Sequence, residues 1–436
     1  MNEPNPIHLA EPRADGSIIF GAVGDIGFRR GVAQAMAQRG MDWPFETMRA
    51  ELSRANILFG NMETVLIPPD YPPAEIDPNG MIAPFAGEQC AAALARAGFN
   101  FLNLAANHVL DAGVVGMQYT KTALESAGIA TGGVGGTQEE ARCPVILTVD
   151  GLRIGMLCYC EDNNYTLGTR GPCHAYFEPD AVIADIARLR GDVDIIVVSV
   201  HADLEFMPGP SLPRRDAFRR FAQAGADLVL GHHPHVPQGC ERIGHTLIAY
   251  SLGNFIFPAH SSPYMRQNGR DTARSFLLLV ELTRAGVAGF ERIPFEISAE
   301  PEERPIPCQG TEREEMLRYL EELDRLVADD AALTKLWGET VRCKLADELK
   351  KAVLVKQRPL PRWRRALARL LGLTAPVQHE IDVERILDEL VGRWWLTAEN
   401  RSWMEEVIRV GQERWDARNA LPTDPLHRPH HTFQTR

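Results

Sequence analysis

The chemistry of this 436-residue chain concentrates at Gly231-His232-His233-Pro234-His235. Three imidazoles follow the apolar run Leu228-Val229-Leu230, which places them at the end of a buried strand. α/β enzymes hold ligands there, in the crevice beyond the strand C-termini. Neutral imidazole is the commonest metal ligand. On an extended segment, the spacing of His233 and His235 would put both side chains on one face.

Four other strand ends carry side chains that metals favour. Gly24-Asp25 follows the apolar run 18–23, and Gly60-Asn61-Met62-Glu63 follows 57–59. Ala106-Asn107-His108, with Asp111 beyond, follows 101–105, and His201, with Glu205 beyond, follows 195–200. Taken singly, an Asp or Asn after a strand is usually a turn residue or a helix cap. Five such ends on one parallel sheet edge would share a site. The donors are carboxylate, carboxamide and imidazole without thiolate, a set that suits Mn²⁺, Fe²⁺ or Zn²⁺. More than four donors fit two divalent ions ~3.5–4 Å apart, which activate a water and clamp a phosphate or similar tetrahedral centre. His108, beside Asn107, is the candidate general acid for a leaving oxygen, with Asp111 orienting it.

The elements that must position these groups alternate along residues 17–299. Apolar runs at 18–23, 57–60, 101–105, 145–149, 154–159, 195–200, 228–230, 246–250 and 276–282 read as strands. Stretches 31–39, 87–97, 115–127, 180–190 and 214–224 read as amphipathic helices. The pattern predicts an α/β domain with much parallel sheet. Asp150-Gly151 between apolar runs adds a hairpin, so the sheet is mixed. Residues 1–16 and 419–436 are expected to be disordered, so His427, His430 and His431 read as solvated tail. The Pro/Glu-rich stretch 300–309 reads as a linker, and 310–418 as a helical C-terminal region. Trp394, Trp395 and Trp403 are expected to form that region's core.

Composition limits the function classes. A formal net charge of −12 argues against a general nucleic-acid binder. No run of 18 apolar residues and no secretory signal is visible, so a cytoplasmic location, with or without peripheral membrane contact, is expected. The eight cysteines are scattered without a Cys-x-x-Cys pair and read as reduced, packed thiols, Cys158 and Cys160 included. A helix from Pro361, with Trp363, Leu367, Leu370 and Leu371 on one stripe and arginines opposite, reads as a contact to an anionic membrane, a partner or the acidic domain itself.

Over residues 18–285 the chain resembles the CapA family of poly-γ-glutamate and capsule biosynthesis proteins, a branch of the calcineurin-like metallophosphatases. The shared boxes are Gly24-Asp25 with Arg30, Asn61-Met62-Glu63, Ala105-Ala106-Asn107-His108 with Asp111 and Gly113, His201 to Glu205, Gly225 to Gln238, and Tyr250 to Phe257. The resemblance implies a four-layer αββα sandwich of two mixed sheets between helices. It also implies a metal site of Asp25, Glu63, Asn107, His201, His233 and His235, with His108 as acid. His232 competes with His233 for one ligand place; if His233 binds, His232 would point to the other face, as a core residue or one supporting the ligands. Arg30, Asn61, Glu205 and Asn254 are candidates for contact with substrate or with the ligands, Asn254 equally a turn residue beside Gly253.

Three departures stand out. Gly27 occupies the place of the superfamily's Asp-x-His histidine, Ala106 precedes Asn107 where the family often has Asn, and Ala202-Asp203 replaces Trp-Gly. Asp203 would bind a metal, repel a phosphate or face solvent. The resemblance implies a metal-dependent hydrolase, a phosphoesterase using a metal-activated water on a small-molecule or polymer substrate during capsule, exopolysaccharide or poly-γ-glutamate production. The alternative is a non-catalytic subunit of a polymer synthase that keeps the fold.

Overall fold

The computed structural model describes residues 16–72, 81–161 and 172–340. Those up to Thr334 pack as one unit. It is a mixed α/β structure with two main sheets. The first runs Pro305–Pro307, Gly286–Ile297, Arg274–Thr283, Ile18–Ile26, Ile57–Met62, Phe101–Asn103, Ala130–Gly132. Its last four strands are parallel, and Asn254–Ile256 pairs in parallel with the end of Ile18–Ile26. The second runs Cys240–Ile243, Thr246–Ala249, Leu228–His232, Ile195–His201, Leu152–Cys160, Val145–Val149. Its four central strands are parallel and each edge is an antiparallel hairpin. One hairpin turns at Asp150-Gly151, with φ of 51° and 77°, as the sequence requires.

Strands buried on both faces read as continuous apolar runs, because alternate residues feed different cores. Phe59, Phe101, Met156, Val197 and Leu230 share one core drawn from both sheets. Leu58 and Leu102 instead meet Met36, Leu94 and Leu124 of helices Arg30–Arg39, Gly87–Arg96 and Gly113–Ser126. Val198 and Val229 meet Ile186, Phe218 and Phe221 of helices Pro179–Leu189 and Leu212–Ala224. Full burial of each such side chain contributes about 1.5–3 kcal/mol.

The expected linker at 300–309 is instead structural. Pro305–Pro307 is the edge strand of the first sheet. Cys308 donates its N–H inward to Pro294 O, and the Thr47 hydroxyl binds Pro305 O. Helix Gly310–Ala328 then puts Met316, Leu320 and Leu323 into the core shared by the sheets, at i, i+4 and i+7. Asp324 Oδ1 accepts from Arg292 Nη1 (2.9 Å) and from the N–H of Cys240 (2.7 Å). The domain therefore does not end at 299, and the Pro/Glu composition that resembled a linker is that of a sheet edge in which Glu303 and Pro305 are buried. The expected disorder of 1–15 and 419–436, the helix from Pro361 and the tryptophans at 394, 395 and 403 lie outside the described residues. Among the described residues all cysteines are free, and no helix is long and apolar enough to cross a membrane.

Candidate metal centre

One row of side chains crosses the first sheet. Asn254, Asp25, Asn61 and Asn103 stand at matched register on four adjacent parallel strands. A register shift between Ala22 and Asp25 turns the strand end there, as bulges do beside functional sites. The turn brings two chain segments very close: a Cβ on Gly24 would lie 1.8 Å from Gly253 O. Asn61 Nδ2 donates to Asp25 Oδ1 (2.8 Å) and approaches His201 Nδ1 (2.9 Å), while Asn103 Nδ2 donates to Asn61 Oδ1 (2.6 Å). Asn103 escaped the sequence reading, although it ends its strand as Asn61 ends the neighbouring one.

The second sheet contributes a facing pair, His201 and His232, in register. His201 Nε2 lies 2.9 Å from Asn107 Oδ1 and 3.1 Å from His233 Nδ1. His232 does not turn to the other face as expected. It stacks on Phe59 at 5.6 Å, with Nδ1 3.9 Å from Asp25 Oδ1, and neither nitrogen has a hydrogen-bond partner. Burial pushes its pKa down to about 4 and that of His233 to about 4; burial and the neighbouring imidazoles push His201 well below the usual range. All three are thus neutral, the form that binds metal.

His233 and His235 do share one region, but not by lying on an extended strand. The strand ends at His232, and the two adopt φ of 94° and 57°. Arg30, Asp203 and Phe206, also near the site, have positive φ too. Such backbone costs about 1–3 kcal/mol per residue and clusters where function requires it.

His235 Nδ1 faces Asn254 Oδ1 (2.9 Å), whose Nδ2 donates to His235 O and Thr272 O. Asn254 is thus placed between an imidazole and the backbone of the loop that carries it. His235 Nδ1 also lies 3.3 Å from Asp25 Oδ2. Its Nε2 points to Glu63 Oε1 (3.6 Å) and Glu205 Oε1 (3.7 Å). Burial opposes charge on His235, but Glu63, Asp25 and Glu205 outweigh it and push its pKa up to about 10. Glu63 is buried with neither oxygen hydrogen-bonded, and burial pushes its pKa up to about 7. For Asp25, burial is outweighed by His235 and Asn61, and the pKa is lowered.

His108 Nδ1 contacts Asp111 Oδ2 (2.8 Å), which also accepts the N–H of Met81 (2.6 Å). Its Nε2 lies 3.8 Å from Glu63 Oε1. Burial is outweighed by Asp111 and Glu63, and the pKa is raised. The cleft beside these groups, about 410 Å³, is lined by Arg29, Arg30, His108, Glu205, Phe257 and Tyr264 among others. Asp203 does not face solvent: it is buried and accepts the N–H of Ser211 (2.7 Å), near the Arg214–Glu161 ion pair.

The donor set tests well against a divalent cation. Asp25, Glu63 and His235 each place a donor atom within 4.8 Å of the others, as do Glu205, His233 and His235. The carboxylate of Glu63, buried without a hydrogen bond, is what a cation would satisfy.

A mixed α/β protein with carboxylates, carboxamides and imidazoles gathered at its strand ends is the class this geometry defines. The chain belongs to the bacterial capsule synthesis protein PGA_cap family, whose model matches residues 19–259, more than half of its length. It is 30% identical over 285 residues to "Capsule biosynthesis protein CapA" of Bacillus anthracis, covering 63% of this chain and 66% of that protein. It is 28% identical over 302 residues to "PGA biosynthesis protein CapA" of Bacillus subtilis, covering 68% and 76%. A solved structure, that of TT1561 from Thermus thermophilus, aligns with 10% identity and a TM-score of 0.32 over 61% of this chain and 99% of that one.

Proposed function

We propose that this protein is a metal-dependent hydrolase of a phosphoester or related bond, acting in capsule or poly-γ-glutamate production as the names of its relatives imply. The observation that carries the reading is Glu63, a buried carboxylate with no hydrogen bond, aimed among His235, His108 and Asp25. Buried charges are retained when they are paired or bind a cation. The core shared by the sheets and the helices packed beyond each of them support a helix–sheet–sheet–helix order for the fold.

Asp25, Glu63, Asn107, His201, His233 and His235 would hold one or two ions of the Mn²⁺, Fe²⁺ or Zn²⁺ type. The metal supplies an activated water and positive charge for a phosphoryl oxygen. Asn61 and Asn254 orient the carboxylate and imidazoles. Asp111 takes the Nδ1 proton of His108 in a hydrogen bond, which leaves Nε2 to hand a proton to the leaving oxygen. Arg29 and Arg30 bring positive charge to the cleft that receives an anionic substrate.

Elemental analysis of the purified protein, followed by a phosphoester and peptide panel with Mn²⁺, tests this. Bound metal and phosphoester turnover are expected. His108→Ala should keep the metal and lower turnover by ~10²–10⁴ on substrates with poor leaving groups. Protein that takes up no metal from excess Mn²⁺ would refute the reading. A second reading, a non-catalytic subunit of a polymer synthase, draws on Gly27, where the superfamily's histidine is missing; metal binding without turnover would select it.

A further inference from the structure

The missing histidine has a physical counterpart. A Cβ on Gly27 would stand 2.9 Å from two ring atoms of Phe257 and 2.8 Å from Met81 Cε. Phe257 in turn packs its ring 4.7 Å from that of His235. The space a side chain at 27 would use is filled, so a donor must come from elsewhere if the His235 position is to hold an ion firmly.

We infer that Glu205 supplies it, as a direct metal ligand, and that Tyr264 positions Glu205; this rests on the metal-site reading above. Two donors each about 2.1 Å from one ion, at a tetrahedral angle, stand roughly 3.4 Å apart. Glu205 Oε1 and Glu63 Oε1 lie 3.7 and 3.6 Å from His235 Nε2. The set that spans a common ion with Glu205 is that of His233 and His235, whose donor atoms and that of Glu205 all lie within 4.8 Å of one another. The other oxygen of Glu205 receives the Tyr264 hydroxyl, and Tyr264 is packed edge-on against Phe206 at 5.1 Å. A hydrogen-bonded second oxygen is how ligating carboxylates are usually oriented. The loop that delivers Glu205 is held in a costly shape, with φ of 89° at Asp203 and 62° at Phe206. Asp203 and the N–H it accepts from Ser211 fasten that loop. The ligand lost from the first strand is thus replaced from a different loop, with a carboxylate in place of an imidazole.

Mn²⁺ binding to the full chain, measured by calorimetry and by the electron paramagnetic resonance of free and bound ion, decides the point without any substrate. Glu205→Gln keeps the side chain's shape and removes its charge. It should weaken one Mn²⁺ equivalent by about 10²-fold or more and leave any other unchanged. Tyr264→Phe should weaken the same equivalent by about 10-fold, since it perturbs only the orientation of the ligand. Wild-type binding by Glu205→Gln, with circular dichroism showing a native fold, would overturn the assignment and leave the metal-site reading standing. No Mn²⁺ binding by the wild type would overturn both.

Discussion

The two halves of the candidate metal centre differ in kind. Around His235 the donors are carboxylates, Glu63 and Glu205, one of them without a hydrogen bond and the other at the edge of the cleft. Around His201 they are neutral, Asn107 and His233, each already in contact with its imidazole at 2.9 and 3.1 Å. The first half sets carboxylates against imidazoles of raised pKa; the second sets a carboxamide and imidazoles of lowered pKa against one another. The difference teaches that affinity and stability are set in different places. The imidazole–carboxamide half costs the fold little. The carboxylate half is balanced in the metal-free protein by His235 and His108, whose pKa values it raises, and a bound ion would take over that balance.

The largest effect that would sharpen this contrast is expected from Glu63→Gln. It removes the carboxylate that faces both His235 and His108 and helps to raise their pKa values, so the metal-free variant should melt at a lower temperature than the wild type. Turnover should also fall by roughly 10³-fold or more, because that carboxylate neighbours both His235 and His108. An unchanged melting point together with unchanged turnover would remove Glu63 from the charged half, and the contrast would fail.

Asn254→Ala should have an intermediate effect, about 10–100-fold in metal affinity, through loss of the contact that orients His235. Titration with Mn²⁺ measures it; an unchanged affinity would assign Asn254 to loop structure alone.

The smallest effect is one of pH. His235 and His108 have raised pKa values, with that of His235 at about 10. Above pH 7 the folded, metal-free protein therefore binds more protons than the unfolded chain. Stability should then fall as pH rises from 7.5 to 8.5, below the range where buried tyrosines contribute; buried cysteines, whose thiols ionise first in the unfolded chain, add to the fall at the upper end and persist in Mn²⁺. The histidines with lowered pKa oppose this at pH 7, where each is about a quarter protonated in the unfolded chain, and cease to above about pH 8, where they are neutral in both states. Saturating Mn²⁺, which replaces those protons, should flatten the slope. Melting curves in chelator and in Mn²⁺ check it.

Much of this was legible in the sequence, for identifiable reasons. Strands such as Ile195–His201 are continuous apolar runs followed at once by a donor, so both element and site residue announce themselves. The hairpin at Asp150-Gly151 was readable from the turn it demands. The side on which His232 lies was not, because it depends on register with His201 in a neighbouring strand. The positive φ of His233 and His235 was hidden because nothing local requires it; tertiary contacts hold it. Asn103 was missed because its role exists only across the row with Asn61. The strand at Pro305–Pro307 was missed because proline argues against a strand anywhere but at an edge.

That last strand has a consequence for association. Cys308 turns its N–H toward the neighbouring strand, so by alternation the nitrogens at 305 and 307 face the open border of the sheet. Both belong to proline and carry no hydrogen, and the Thr47 hydroxyl already occupies Pro305 O. An incoming β-segment would find no donor at either position and one acceptor taken. The eight-stranded sheet is thereby sealed on this side against templated growth with a second copy, the hazard that long unprotected borders carry.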